Sequence, residues 1–215
     1  MRTTFTCDDA LPLASAIADA LETAYDDITA LDAEVGDGDL GVTCRLGMQA
    51  VLAALPGLGE AGLDGLLLKS GMTFNSAGAS TFGALVATAA MRAAKYAKDN
   101  AVEAWDLPAI TGALTAATQG IEQRGKAARG DKTILDALWP AIDALQAAQD
   151  AGKGLAEALG DAAKAAEAGA EATKPLRAKF GRAAWMQDRT VGVQDAGATV
   201  AAIVLGAVAR YAGGV

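Results

Sequence analysis

Apolar residues recur along this chain every three to four positions, and no segment alternates convincingly with period two. That pattern predicts helices that each bury one face, and it argues against a sheet. Ile17, Leu21, Tyr25, Ile28 and Leu31 define the first stripe, in a helix from about Leu11 to Leu31. Further helices are predicted over Thr43 to Leu55, Leu63 to Gly71, Phe82 to Lys98, Asp106 to Gln123, Thr133 to Ala148, Lys153 to Thr173 and Ala198 to Tyr211. Pro56-Gly57-Leu58-Gly59 breaks the chain after the second, and Lys174-Pro175 stops the seventh. The Ala-rich seventh segment reads as an outer cover. Aromatic residues are only 5% of the chain while alanine dominates, so the helices should pack closely. No repeat or low-complexity linker divides residues 1–215, which therefore read as one all-α domain of roughly eight helices.

The connections carry the chemistry. Asp32-Ala-Glu-Val-Gly-Asp37-Gly-Asp39-Leu-Gly41 places three aspartates on one glycine-rich turn between the first two helices. Three neighbouring carboxylates stay ionised together only if a cation offsets their charge, and hard oxygen ligands in that number suit Mg²⁺ or Ca²⁺. Magnesium held by few carboxylates keeps positions free for substrate phosphates. The same turn fits G-x-G-x-x-G, but a helix precedes it where a dinucleotide site needs a strand. An EF-hand fails because Met48 stands at the twelfth position counted from Asp37. A plain solvated acidic turn remains open at this point.

Asn75-Ser-Ala-Gly78-Ala79-Ser80-Thr81 is small and polar and opens a helix, which suits either an anion site or an ordinary N-cap by Ser80 or Thr81. Arg124, Lys126, Arg129 and Lys132 form a basic loop that reads equally as solvated or as phosphate-facing. Gly120 to Lys126 imitates a P-loop, yet Ala127 replaces the metal-binding Ser/Thr and no strand precedes it. The connection from Leu176 to Ala196, with Phe180-Gly-Arg182, Trp185 and Arg189, is long enough to be a lid or binding loop.

The net charge of −8 argues against a nucleic-acid footprint or adhesion to anionic lipid. The longest apolar run, about a dozen residues around 198–209, reads as a buried helix rather than a membrane span. Cys7 and Cys44 suggest no disulfide framework, so a cytoplasmic location is expected. The chain has no histidine, which removes Ser-His-Asp and Cys-His catalysis and any histidine phosphoenzyme on this chain.

Four motifs recur in order: the Asp32…Asp37…Asp39 turn, Gly78-Ala-Ser80, Gly130-Asp-Lys-Thr-x-x-Asp136, and Gly181-Arg-Ala…Asp195-x-Gly-Ala. Together they resemble the L subunit, or nucleotide-binding domain, of the dihydroxyacetone kinases, over nearly the whole chain from Leu11 to Tyr211. The resemblance implies a closed antiparallel barrel of about eight helices with the nucleotide site at one end. It implies two Mg²⁺ ions on Asp32, Asp37 and Asp39, bridging to the phosphates of ADP or ATP. By position, Leu40, Gly41, Val42, Thr43, Ala79 and Ser80 match residues around the phosphates. Gly125 and Ile134 match positions lining base and sugar, and Arg182, Asp195, Ala196 and Gly197 match the loop over the nucleotide. Arg182 is the catalytic candidate. Leu40, Thr81-Phe82 and Ala196 depart from the residues many relatives carry there. The implied partner is a K-type subunit that holds the ketose covalently through its own histidine. Recharging would come from ATP or from a phosphotransferase-system phosphoryl donor protein. Other roles compatible with the resemblance are a kinase for a longer ketose such as erythrulose, a regulatory L-type protein that binds a transcription regulator, and a domain for fatty-acid phosphorylation.

Overall fold

The structure, a computed structural model, describes residues 1–58 and 61–214. These contain nine α-helices: α1 Ala10–Thr23, α2 Tyr25–Val35, α3 Leu40–Ala54, α4 Gly62–Ala77, α5 Thr81–Asp99, α6 Leu107–Gly125, α7 Leu135–Asp150, α8 Leu155–Glu171 and α9 Ala196–Gly213. Short 3-10 helices lie at Cys7–Asp9, Leu55–Leu58 and Arg182–Thr190. Among the described residues the only β pairing is an isolated antiparallel bridge between Phe5 and Trp105.

Eight of the helices close a ring. Each of α3 to α8 packs on the next, α9 packs on α1, and α1 returns to α3. Short connections make α3 to α8 sequentially antiparallel, and the Asp195 N–H to Thr173 Oγ1 bond sets the start of α9 beside the end of α8, so the ring is the closed antiparallel barrel that the resemblance implied. The remaining helix, α2, lies on α3 with lesser contacts to α9 and to the 3-10 helix at Arg182–Thr190, closing one end.

Alanine makes the tight ring possible. Ala158, Ala162, Ala166 and Ala170 form one buried stripe of α8, wedged between α7 and α9. At Gly169 a Cβ would lie 2.1 Å from the Asp136 carbonyl, so that crossing requires the missing side chain. The Ala-rich segment is thus a full stave with a charged outer face rather than an outer cover. Leu135, Leu145 and Leu159 are essentially inaccessible and anchor the largest apolar cluster between α6 and α9.

Two element boundaries differ from the periodicity. The predicted helix over Leu11 to Leu31 is broken at Ala24 (φ −95°, ψ 9°). The break lets α2 fold over the barrel end while Leu21 and Ile28 still share one cluster with Leu40, Cys44 and Val200. The helix predicted to stop at Gly71 continues to Ala77. Gly71 is a close crossing instead of a cap: a Cβ there would lie 2.2 Å from the Ala90 Cβ of α5. The predicted break at Pro56-Gly57-Leu58-Gly59 appears as the 3-10 turn Leu55–Leu58; Gly59 lies outside the described residues. The stretches Leu40–Leu58 and Ala196–Gly213 are long and apolar enough, by length and composition, to cross a membrane. In this fold α3 and α9 are staves of the ring, packed on neighbouring helices.

Candidate functional site

An antiparallel ring sends every second helix in the same direction, so α3, α5, α7 and α9 all begin at the same end. Their first residues, Leu40, Thr81, Leu135 and Ala196, all line one cavity of about 610 Å³. Each helix start contributes unpaired N–H groups and roughly half a positive charge. Four such ends around one cavity make it anion-attracting without any basic side chain.

The three aspartates sit at the rim of this cavity. Asp32, Asp37 and Asp39 each offer an oxygen within 4.8 Å of the others. Asp32 belongs to the last turn of α2, and its Oδ2 accepts the Leu40 N–H at 3.1 Å, tying that carboxylate to the start of α3. Asp39 is the N-cap position of α3, and its carbonyl accepts the Thr43 N–H at 2.9 Å. The glycines between them are required. A Cβ on Gly36 would lie 2.6 Å from Asp32 Oδ1, and Gly38 has φ +71°. Three converging carboxylate oxygens fit a hard divalent cation such as Mg²⁺, with coordination positions left for phosphate oxygens.

The long connection supplies the opposite charge. The Arg182 guanidinium forms an ion pair with Asp37, and both residues line the cavity. Arg182 opens the 3-10 helix Arg182–Thr190 and follows Gly181, whose φ is +68°. Asp195, also lining the cavity, N-caps α9 by accepting the Ala198 N–H at 2.7 Å. Burial pushes the Asp195 carboxyl up to about 6; the Ala198 N–H pulls against that, the charges of Asp136 and Asp32 add to it, and Lys132 opposes it.

The structure gathers most of the expected residues. Asp32, Asp37, Asp39, Leu40, Ser80, Gly125, Ile134, Arg182, Asp195, Ala196 and Gly197 all line the cavity. Gly41, Val42, Thr43 and Ala79 lie off its wall. Gly41 packs under Thr29, Thr43 is buried, Val42 is exposed on the outer face, and Ala79 is exposed in the α4–α5 turn. Ser80 caps α5 through the Gly83 N–H at 3.0 Å and also faces the cavity, so both readings of that loop apply to one residue.

The basic loop divides. Arg124 reaches the cavity wall, whereas Arg129 pairs with Asp143 on the surface. Lys132 also lines the cavity, but its buried ammonium is committed to backbone carbonyls. Sequence reasoning also passed over an apolar wall of Phe82, Leu85, Ile121, Leu135 and Phe180. Leu85 and Ile121 each stand four positions, about one helical turn, from the motif residues Thr81 and Gly125. That spacing was the available signal.

Residues 34–210 match the DAK2 domain family. The chain is 30% identical over 181 residues to the ADP-binding subunit DhaL of the PEP-dependent dihydroxyacetone kinase of Escherichia coli K12, covering 84% of this chain and 85% of that one. It is 36% identical over 182 residues to the triokinase/FMN cyclase of Bos taurus, but spans only 31% of that protein's length. The crystal structure of the dihydroxyacetone kinase of C. freundii superposes with a TM-score of 0.73 at 25% identity, over 98% of this chain and 36% of that one.

Proposed function

The chain belongs to the DAK2 domain family, and on that premise we propose that it is the Mg²⁺–nucleotide subunit of a two-component ketose kinase. The observation that carries this reading is the meeting of three carboxylates and Arg182 at a cavity ringed by four helix N-termini. Asp32, Asp37 and Asp39 would hold two Mg²⁺ ions, which when bound offset phosphate charge and polarise the transferring group. Leu40 and Ser80, at the starts of α3 and α5, face the phosphates of ADP or ATP, while Gly41, Val42 and Ala79 flank them without reaching the cavity wall. Thr43 has already given its N–H to Asp39 and supports them from beneath. Gly125 and Ile134, with the apolar wall beside them, take base and sugar. Asp195, Ala196 and Gly197, at the start of α9, complete the wall. Arg182 stabilises charge that develops as the phosphoryl group moves.

The acceptor hydroxyl comes from a ketose on a K-type partner subunit, for which this chain has no histidine of its own. The subunit organisation is supported by the name of the E. coli relative, an ADP-binding subunit of a PEP-dependent kinase; the phosphoryl donor is ATP itself or a phosphotransferase-system protein that recharges bound ADP. A cytoplasmic setting belongs to the same proposal and agrees with two free thiols, Cys7 and Cys44. The test is coupled ADP release from ATP with dihydroxyacetone or erythrulose, omitting each subunit in turn. Turnover should require both. Full turnover by this chain alone overturns the two-subunit reading.

A further inference from the structure

Lys132 occupies a left-handed backbone position (φ +61°) just before α7, and it is only 2% exposed. Its ammonium donates to the carbonyls of Thr173 (3.0 Å), Leu176 (3.1 Å), Thr190 (2.5 Å) and Val193 (2.5 Å). Three N–H groups are shared among four acceptors, which leaves none for a phosphate. The acceptors fall into two pairs. Thr173 and Leu176 lie where the chain leaves α8; Thr190 and Val193 lie where it returns to α9. Between the pairs stands the exposed part of the connection, which carries Arg182 and the 88% exposed Trp185. Neutral bonds join the same two strands of chain, Gly192 N–H to the Lys174 carbonyl at 2.8 Å and Ala178 N–H to Thr190 Oγ1 at 3.1 Å. Burying an ammonium in left-handed backbone is costly, and an apolar side chain would fill space more cheaply. Four converging carbonyls give the charge a specific task.

We propose that Lys132 is the positioning residue for Arg182: its buried ammonium pins both ends of the connection together, so that the guanidinium is carried to Asp37. This rests on the role given to Arg182 above.

The experiment uses Lys132→Met in the full chain, with Arg182→Ala and the double variant as references. Trypsin sites at Arg177, Lys179, Arg182 and Arg189 report loop opening without any turnover. Lys132→Met should raise the nicking rate between residues 177 and 189 about tenfold, as the open population grows. With the K-type partner, kcat should fall about a hundredfold, the order of loss expected from misplacing a charged group by about 1 Å. The calorimetric nucleotide Kd should stay within about threefold, and Lys132→Met should cost nothing further in the Arg182→Ala background. Unchanged nicking, or losses that multiply in the double variant, overturns the pin. Full turnover by Arg182→Ala instead overturns the role of Arg182, with the nicking result still deciding on the pin. If Lys132→Met does not fold, reductive methylation of the native chain decides: Lys132 should stay unmodified while Lys126 and Lys179 react. Methylation of Lys132 at the rate of Lys126 overturns the proposal.

Discussion

Two alanine substitutions on one helix separate stability from site geometry. Gly41 and Gly47 both lie in α3, and a Cβ on either meets a neighbour too closely. On Gly41 it would lie 2.2 Å from Thr29 Oγ1 and 3.1 Å from the Tyr25 carbonyl, both on α2. On Gly47 it would lie 2.4 Å from two ring carbons of Phe74, on α4. Reaching an ordinary 3.4 Å separation requires a shift of about 1.2 Å (3.4 − 2.2) for Gly41 and about 1.0 Å (3.4 − 2.4) for Gly47. Overpacking of this size costs about 1–3 kcal/mol, against a helix-propensity gain of about 1 kcal/mol for Gly→Ala. Each variant should therefore lose about 0–2 kcal/mol, or about 0–4 °C in Tm for a chain of this length.

The two should differ at the site. Only Gly41→Ala pushes α2 away from α3, and α2 carries Asp32 while Asp37 and Asp39 stay with the start of α3. Thr29 can exchange between two helical rotamers, but the Tyr25 carbonyl is backbone and cannot turn aside, so the helices themselves must separate. Mg²⁺ demands oxygens at about 2.0–2.1 Å in near-octahedral array, so a displacement near 1 Å removes Asp32 as a ligand. Titration calorimetry with ADP and Mg²⁺ should show a loss of about 10- to 100-fold for Gly41→Ala and almost none for Gly47→Ala. Equal affinities in the two variants would refute the argument that the α2–α3 contact sets the aspartate triangle.

Asp195→Asn tests the buried cap. The folded carboxyl keeps its proton to about pH 6 against an ordinary 3.8, so between those values the folded state binds more protons and stability falls as pH rises. The variant should lose that slope in urea melts and, with partial solvent screening, gain about 1–2 kcal/mol at pH 7. An unaltered slope would show that Asp195 is ionised throughout. Arg182→Ala should lower kcat far more than nucleotide affinity, because a charge-stabilising group acts mainly in the transition state; equal losses in both would make it a binding residue. Nucleotide with Mg²⁺ at a hundred times its Kd should add about 2.7 kcal/mol, a rise of about 6 °C by thermal shift, and no rise at millimolar levels would count against the site.

The convergence of the three aspartates was legible from sequence because it is local: three carboxylates and the glycines that let them meet occupy ten consecutive residues. Helix existence was legible for the same reason, through the apolar stripes. What escaped depends on which elements meet. Gly71 looks the same in sequence whether it ends a helix or admits a neighbour, and only Ala90 on α5 decides. Ala24 interrupts a continuous apolar stripe without Gly or Pro, because both halves of the stripe bury in one cluster after the chain turns. Lys132 sits among other basic residues, and nothing local distinguishes a lysine facing phosphate from one facing four carbonyls that lie 41 to 61 positions away. The apolar wall likewise joins α5, α6, α7 and the connection after α8, a meeting set by ring closure rather than by any motif.

The central claim is that Asp32, Asp37 and Asp39 bind nucleotide through Mg²⁺ at the shared end of four helices. Calorimetric titration of ADP into the chain with Mg²⁺, with chelator, and into Asp37→Asn and Asp39→Asn tests it directly. Each substitution keeps side-chain size while removing a ligand charge, and relief of carboxylate repulsion should leave the fold intact. The account predicts strong binding with Mg²⁺, collapse of affinity with chelator, and a comparable collapse in either variant despite an unchanged helical spectrum. Tight, chelator-insensitive ADP binding that survives both substitutions would contradict it.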